Sequence, residues 1–297
     1  MKIFSITLLS LLFLPLVAPT QSIGYHFDRP ELVTMLPDDL REISGLGMSS
    51  DGKSLVAVQD EDGIIFRLDP RSGEVLARIP FWKDGDYEGI EWVDNDVWVV
   101  KSSGTLYRIT DLGKPDQQTE KHGSFLDEDN DVEGLAYDRL HQRLLVICKA
   151  DGGPGYKKDL ERCIFAFDLR TKTWNEKAVY LVHRDQIQRY LKTCPPSRSY
   201  DQLCDFFNDQ DDYELSPSAV AIHPVTGDVY TTSSVGKLLV VMKPDGSIRH
   251  IERLDKEFFP QPEGLAFAPD GTLYISSEGK KDGRGRLLRL PYQPSMK

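Results

Sequence analysis

The sequence predicts an all-β protein whose repeated four-stranded units close into a ring, a β-propeller. Three observations carry this expectation. A short anchor recurs at a fixed interval, β-rich alternating runs follow each anchor, and helical periodicity is nearly absent. The anchors are ISGLGM (43–48), YEGIEW (87–92), VEGLAY (132–137), PSAVAI (217–222) and PEGLAF (262–267). Their third residues, Gly45, Gly89, Gly134, Ala219 and Gly264, are separated by 44, 45, 85 and 45 residues.

Each anchor opens the same series of elements. A turn follows it, as in SSDGK (49–53), HPVTGD (223–228) and APDGT (268–272), where glycine and aspartate accept positive φ. A second strand comes next (SLVAVQD, VWVVKS, RLLVICK, VYTTSS, LYISSE), then a third (IIFRLDP, TLYRIT, CIFAFDL, LLVVMKP, RLLRLP). A fourth is legible in EVLARIP (74–80), KAVYLVH (177–183) and IRHIERL (248–254). Four antiparallel strands in a period of about 45 residues make a propeller blade, which buries both faces only by packing against its neighbours.

The last unit runs out of chain before a fourth strand, and a spare strand, ELVTML (31–36), precedes the first anchor. That strand is expected to complete the last blade and close the ring. The 85-residue step admits a degenerate sixth blade. Five blades is the better reading, because 184–215 resembles an insertion: a helical piece RDQIQRYLK (184–192), a polar loop between Cys194 and Cys204, and an acidic run DFFNDQDDYE (205–214). The acidic run reads as a solvated loop or as a lid over one end of the ring.

Residues 1–22, MKIFSITLLSLLFLPLVAPTQS, set Lys2 before an apolar run and end in small residues, the pattern of a secretory signal. The run is short for a membrane span. An uncleaved anchor is the competing reading and the only expected route to membrane association. Residues 23–297 are then a single propeller domain, periplasmic or secreted. The net charge of −11 disfavours nucleic acid and anionic lipid as partners and suits divalent cations. Four cysteines fit an oxidising compartment. Cys194 and Cys204 are expected to bridge, while Cys148 and Cys163, on neighbouring strands, read as a second pair or as two buried thiols.

In a propeller the first strand of each blade lines the axis, so equivalent positions form a ring. Here the ring is Ser44, Glu88, Glu133, Ser218 and Glu263, each followed by glycine or alanine. Converging carboxylates must take up protons or hold a cation. Oxygen ligands favour Ca²⁺ or Mg²⁺ over zinc. The alternative is that the glutamates bond backbone N–H groups of the next blade and lock the ring. Asp60, Glu61, Lys101, Lys149 and Glu278, after the second strands, are channel-mouth candidates for positioning a water or ligand. The six histidines are scattered over turns and outer strands, and no Gly-x-Ser-x-Gly nucleophile motif occurs. LDEDNDVEG (126–134) has alternating aspartates but Val132 where the EF-hand turn needs glycine.

The run from EISGLGMSSDGK through DYEGIEWVDNDVWVV resembles bacterial SdiA-regulated, or YjiK-like, proteins, and VEGLAY and PEGLAFAPDGTLYISSE extend the likeness. The last unit also resembles an NHL repeat. The chain departs from the pattern at SPSAV and in its cysteine-bearing insertion. The resemblance implies an extracytoplasmic propeller, sometimes associated with the cell envelope, and no established reaction. The expected function is binding of a small molecule, an envelope component or a protein at one channel mouth, with Ca²⁺ in the channel. A calcium-dependent esterase or lactonase and a purely structural or interaction propeller are the alternatives.

Overall fold

The computed structural model describes residues 23–193, 198–208, 214–279 and 283–294. It contains five four-stranded antiparallel sheets. Blade 1 comprises β2 (Ile43–Met48), β3 (Leu55–Gln59), β4 (Ile64–Leu68) and β5 (Val75–Pro80). Blade 2 comprises β6 (Tyr87–Val93), β7 (Asp96–Lys101), β8 (Leu106–Thr110) and β9 (Gln118–His122). Blade 3 is β10 (Val132–Asp138), β11 (Arg143–Cys148), β12 (Glu161–Asp168) and β13 (Thr173–His183). Blade 4 is β14 (Pro217–Ile222), β15 (Val229–Ser233), β16 (Leu238–Met242) and β17 (Ile248–Arg253). Blade 5 combines β18 (Pro262–Phe267), β19 (Leu273–Ser277) and β20 (Arg286–Leu290) with the N-terminal β1 (Glu31–Met35). The spare strand therefore closes the ring, and the described residues form five blades with no sixth among them.

Alternation along the strands explains why the blades need one another. In β3, Leu55 and Ala57 join an apolar cluster shared with blade 5, whereas Val56 and Val58 join one shared with blade 2. The same division recurs round the ring, so the core is five inter-blade clusters rather than one centre. Closure is reinforced where the ends of the chain meet. The Arg289 guanidinium pairs with Glu31 at 2.5 Å, Tyr25 donates to the Gly271 carbonyl at 2.5 Å, and the Gln293 N–H donates to the Gly24 carbonyl at 2.8 Å.

Two elements escape the sequence reading. β9 (QTEKH) is polar, and its outward face lacks the apolar alternation that marks the other outer strands. The insertion holds two helices, α1 (Arg184–Thr193) and α2 (Arg198–Asn208), not one helix and a loop. α2 buries Leu203 and Phe207 beside Ile187, Leu191 and Leu215, roofing the cluster between blades 3 and 4. Cys204 lies on α2 with no disulfide partner among the described residues, and Cys194 lies outside them. Cys148 and Cys163 are buried free thiols.

Every inner strand carries the same irregularity. The register with the second strand slips by one residue at Ile43/Gly45, Tyr87/Gly89, Pro217/Ala219 and Pro262/Gly264, and within Val132/Leu135 in blade 3. Ser44, Glu88, Ser218 and Glu263 are the extra residues, and Glu133 falls within the corresponding slip, so each bulge turns its ring side chain away from the regular pleat. The following residue must then be small. A Cβ on Gly45 would lie 2.9 Å from the Gly89 Cα, one on Gly89 2.7 Å from the Leu135 N, and one on Gly134 2.8 Å from the Val220 N. These are backbone atoms and cannot swing aside. Gly89→Ala is expected to lower the melting temperature by several degrees, corresponding to about 1–3 kcal/mol of overpacking. Gly123→Ala, whose Cβ would meet nothing within 4 Å, is the control. Equal stability of the two variants in a thermal melt would show that the axis is not crowded.

Candidate functional site: two mouths divided by a closed axis

The anchors are radially equivalent, and their approach closes the axis. The space enclosed by Ser44, Glu88, Glu263 and the small residues beside them is about 10 Å³, room for one water at most. Among the described residues the axis is thus narrowed to that space, with a mouth on either side.

The first mouth is acidic. The ring serines are clips between blades: Ser44 Oγ donates to the Tyr87 carbonyl at 2.5 Å, and Ser218 Oγ donates to the Pro262 carbonyl at 2.6 Å. Each reaches the residue just before the next ring glutamate. The lock expected of the glutamates is thus made by the serines. Glu133 Oε1 accepts from Lys149 Nζ at 2.5 Å, and Asp131 lies 3.5 Å from the same ammonium. Burial holds Glu88, Glu133 and Glu263 above the usual carboxylate range. The Glu133 charge adds to this at Glu88 and Glu263, while Lys149 draws Glu133 partly back. A protonated Glu88 donates to Asp86.

Four of the five mouth candidates gather here with those groups. Burial raises Asp60 and Glu278, each under the added influence of the other acids of this mouth, and Gln261 donates to Glu278. Glu61 continues from Asp60, its N–H bonded to Gln59 Oε1 at 2.5 Å. Lys101 is out of step: it pairs with Tyr87 as Gln59 does with Ile43 and Cys148 with Val132, so Ser102 holds the place corresponding to Asp60 and Lys149.

The expected place for a divalent ion is the five-residue ring of Ser44, Glu88, Glu133, Ser218 and Glu263. Two of its members donate their hydroxyl protons to carbonyls, and one carboxylate already has a lysine. Among the described residues no group of three or more His, Cys, Asp or Glu side chains is arranged to hold a metal ion. The 126–134 segment is a turn in which Asn130 caps the Asp127 N–H at 2.7 Å and Asp131 adopts φ of 49° before β10 begins. That is no EF-hand loop.

The second mouth was not anticipated. The sixth letters of the anchors, Met48, Trp92, Tyr137, Ile222 and Phe267, form a ring of large apolar side chains at the far ends of the inner strands. They line a cavity of about 720 Å³. The fifth letters beneath them are small, Gly47, Ala136, Ala221 and Ala266, except in blade 2, which has Glu91. Its carboxylate accepts the Trp92 N–H at 2.8 Å and the Tyr137 N–H at 3.2 Å, and burial pushes it up to about 7. His223 closes the cavity beside Phe267 and Tyr292. Reading the aligned anchors three letters further would have exposed this ring.

The SdiA-regulated family model matches residues 25–151, which span blades 1 and 2 and the start of blade 3. Among solved structures, the PQQ-bound aldose sugar dehydrogenase of Streptomyces coelicolor is similar at 14% identity and a TM-score of 0.51, over 89% of this chain and 98% of that one. A streptogramin B lyase is similar at 13% identity and a TM-score of 0.44, over 87% and 67% of the two chains. A luciferin-regenerating enzyme is similar at 10% identity and a TM-score of 0.47, over 89% and 95%. At these identities the likeness to solved structures is one of fold alone.

The acidic mouth makes stability depend on pH. A carboxylate raised by folding binds a proton that the unfolded chain has released, so its contribution is complete below the ordinary value of 4.5 and is lost as pH climbs towards the folded value. Glu88→Gln, which cannot ionise, is expected to melt higher than the parent at pH 8, by about 1 kcal/mol or more. The gain should shrink towards pH 5. Thermal melts at both values check this, and a Gln variant less stable at pH 8 contradicts it.

Proposed function

We propose that this propeller of the SdiA-regulated type is an extracytoplasmic binding protein that takes a small, largely apolar ligand in its second mouth. The observation that carries the reading is the 720 Å³ cavity ringed by Met48, Trp92, Tyr137, Ile222 and Phe267. Such a volume, with an apolar wall and few polar groups, is the usual form of a small-molecule site. The closed axis supplies a floor. The extracytoplasmic assignment rests on the N-terminal segment 1–22, which lies outside the described residues, and on the resemblance. No helix among the described residues is long and apolar enough to cross a membrane.

Binding is favoured over hydrolysis by the distribution of chemistry. Among the described residues of the cavity wall, Ser49 donates to Asp51 at 2.8 Å, His141 Nδ1 pairs with Asp138 at 2.7 Å, and the His223 Nδ1 is occupied by backbone N–H groups. The acidic mouth holds carboxylates and Lys149, and its serines are bonded across blades. The charge balance there is met by protons and Lys149, so the ring serves to close the molecule.

N-phenyl-1-naphthylamine, a neutral fluorescent probe, is expected to bind saturably at one molecule per chain. Phe267→Lys, which plants a charge in the ring, should weaken binding at least about tenfold, while Glu278→Gln at the opposite mouth leaves it unaltered. Circular dichroism confirms that the variants are folded. Absence of saturable binding, or binding indifferent to Phe267→Lys, would remove the basis of this assignment.

A further inference from the structure

We propose that the apolar mouth selects amphipathic organic anions, with the hydrophobic body inside the Met48–Phe267 ring and the acid group at Arg139. This rests on the binding assignment above and specifies its ligand class. Two donors on the cavity wall have no protein acceptor, Arg139 exposed to solvent and His223 buried. The Arg139 guanidinium lies 5.8 Å over the Tyr137 ring, yet forms no hydrogen bond or ion pair with another described residue. A guanidinium lying against an aromatic face at the rim of an apolar cavity is well placed to hold a carboxylate, sulfonate or phosphate.

The second donor is His223, only 1% exposed. Its Nδ1 accepts the Val225 N–H at 3.1 Å and the Thr226 N–H at 3.2 Å, which puts the ring proton on Nε2. That Nε2–H is buried without an acceptor. Burial also drives the imidazole down to about 4, so His223 is a neutral donor at physiological pH and carries no charge. The charge of the ligand must then be met at Arg139.

The acids of the wall do not cancel this preference. Asp138 is committed to Arg143 at 2.8 Å and to His141 at 2.7 Å. Glu91 already accepts two backbone N–H groups and is only partly ionised near neutrality. At the rim, Leu140, which follows Arg139 in sequence, is 85% exposed. An apolar side chain thus stands beside the guanidinium at the rim. The net charge of the chain opposes anions at long range, so the preference is local and depends on contact with the guanidinium.

The test compares two probes with the same ring system. 8-Anilinonaphthalene-1-sulfonate carries a sulfonate that N-phenyl-1-naphthylamine lacks. In fluorescence titrations of the mature protein at low salt, the sulfonate is expected to bind at least about fivefold more tightly than the neutral probe. In Arg139→Gln the ratio of the two dissociation constants should fall to about one, and in Arg139→Lys it should stay well above one. Equal or weaker sulfonate binding in the parent, or an advantage that survives Arg139→Gln, overturns the anion preference while leaving a neutral-ligand site intact. If neither probe binds, the ligand site itself is refuted, and the preference with it.

Discussion

Everything in this molecule depends on how closely five inner strands approach one axis. At the third position of each anchor the neighbouring backbone stands within about 3 Å of where a Cβ would be, at Gly45, Gly89 and Gly134. Only glycine, or alanine at Ala219, satisfies that spacing. The β-bulge beside it turns the preceding side chain towards the axis, which makes Ser44, Glu88, Glu133, Ser218 and Glu263 a ring. The same approach seals the centre, so that one propeller presents two mouths of opposite character.

The acidic mouth is a structural solution with an electrostatic cost. Serine hydroxyls of blades 1 and 4 bond the carbonyls of blades 2 and 5, which ties neighbours together without charge. The glutamates of blades 2, 3 and 5 bring charge that cannot be fully expressed in so small a space. Lys149 neutralises one, and burial with a hydrogen bond to Asp86 holds Glu88 above the usual carboxylate range. The apolar mouth uses the same strands three residues later, where they have diverged enough to accept tryptophan, tyrosine and phenylalanine. The proposed ligand site lies at the diverging ends, and closure at the converging ones.

Much of this was legible in the sequence, because the repeat is written in residues that the geometry compels. The anchors gave five blades, the strand at 31–36 gave the closure, and Glu-Gly gave the ring. What was lost has physical reasons. β9 is polar on an outer edge, where burial imposes no alternation. α2 carries its apolar residues within SYDQLCDFF, and the short polar stretch around it reads as a loop until Leu203 and Phe207 find the cluster under α1. The inter-blade bonds of Ser44 and Ser218 are not legible because a hydroxyl that donates to a carbonyl looks the same in sequence as one that binds a cation. The apolar mouth went unread because Trp92, Tyr137 and Phe267 look like ordinary core residues of a strand, and only their radial equivalence reveals that they share a cavity.

The separation of the two mouths is tested most directly by a crystal structure of the mature protein grown with N-phenyl-1-naphthylamine and calcium chloride. The expected result is probe density enclosed by Met48, Trp92, Tyr137, Ile222 and Phe267, a sealed axis, and Lys149 against Glu133 with no ion between the ring glutamates. A calcium ion bound among Glu88, Glu133 and Glu263, or a probe threaded along an open axis, would contradict the account.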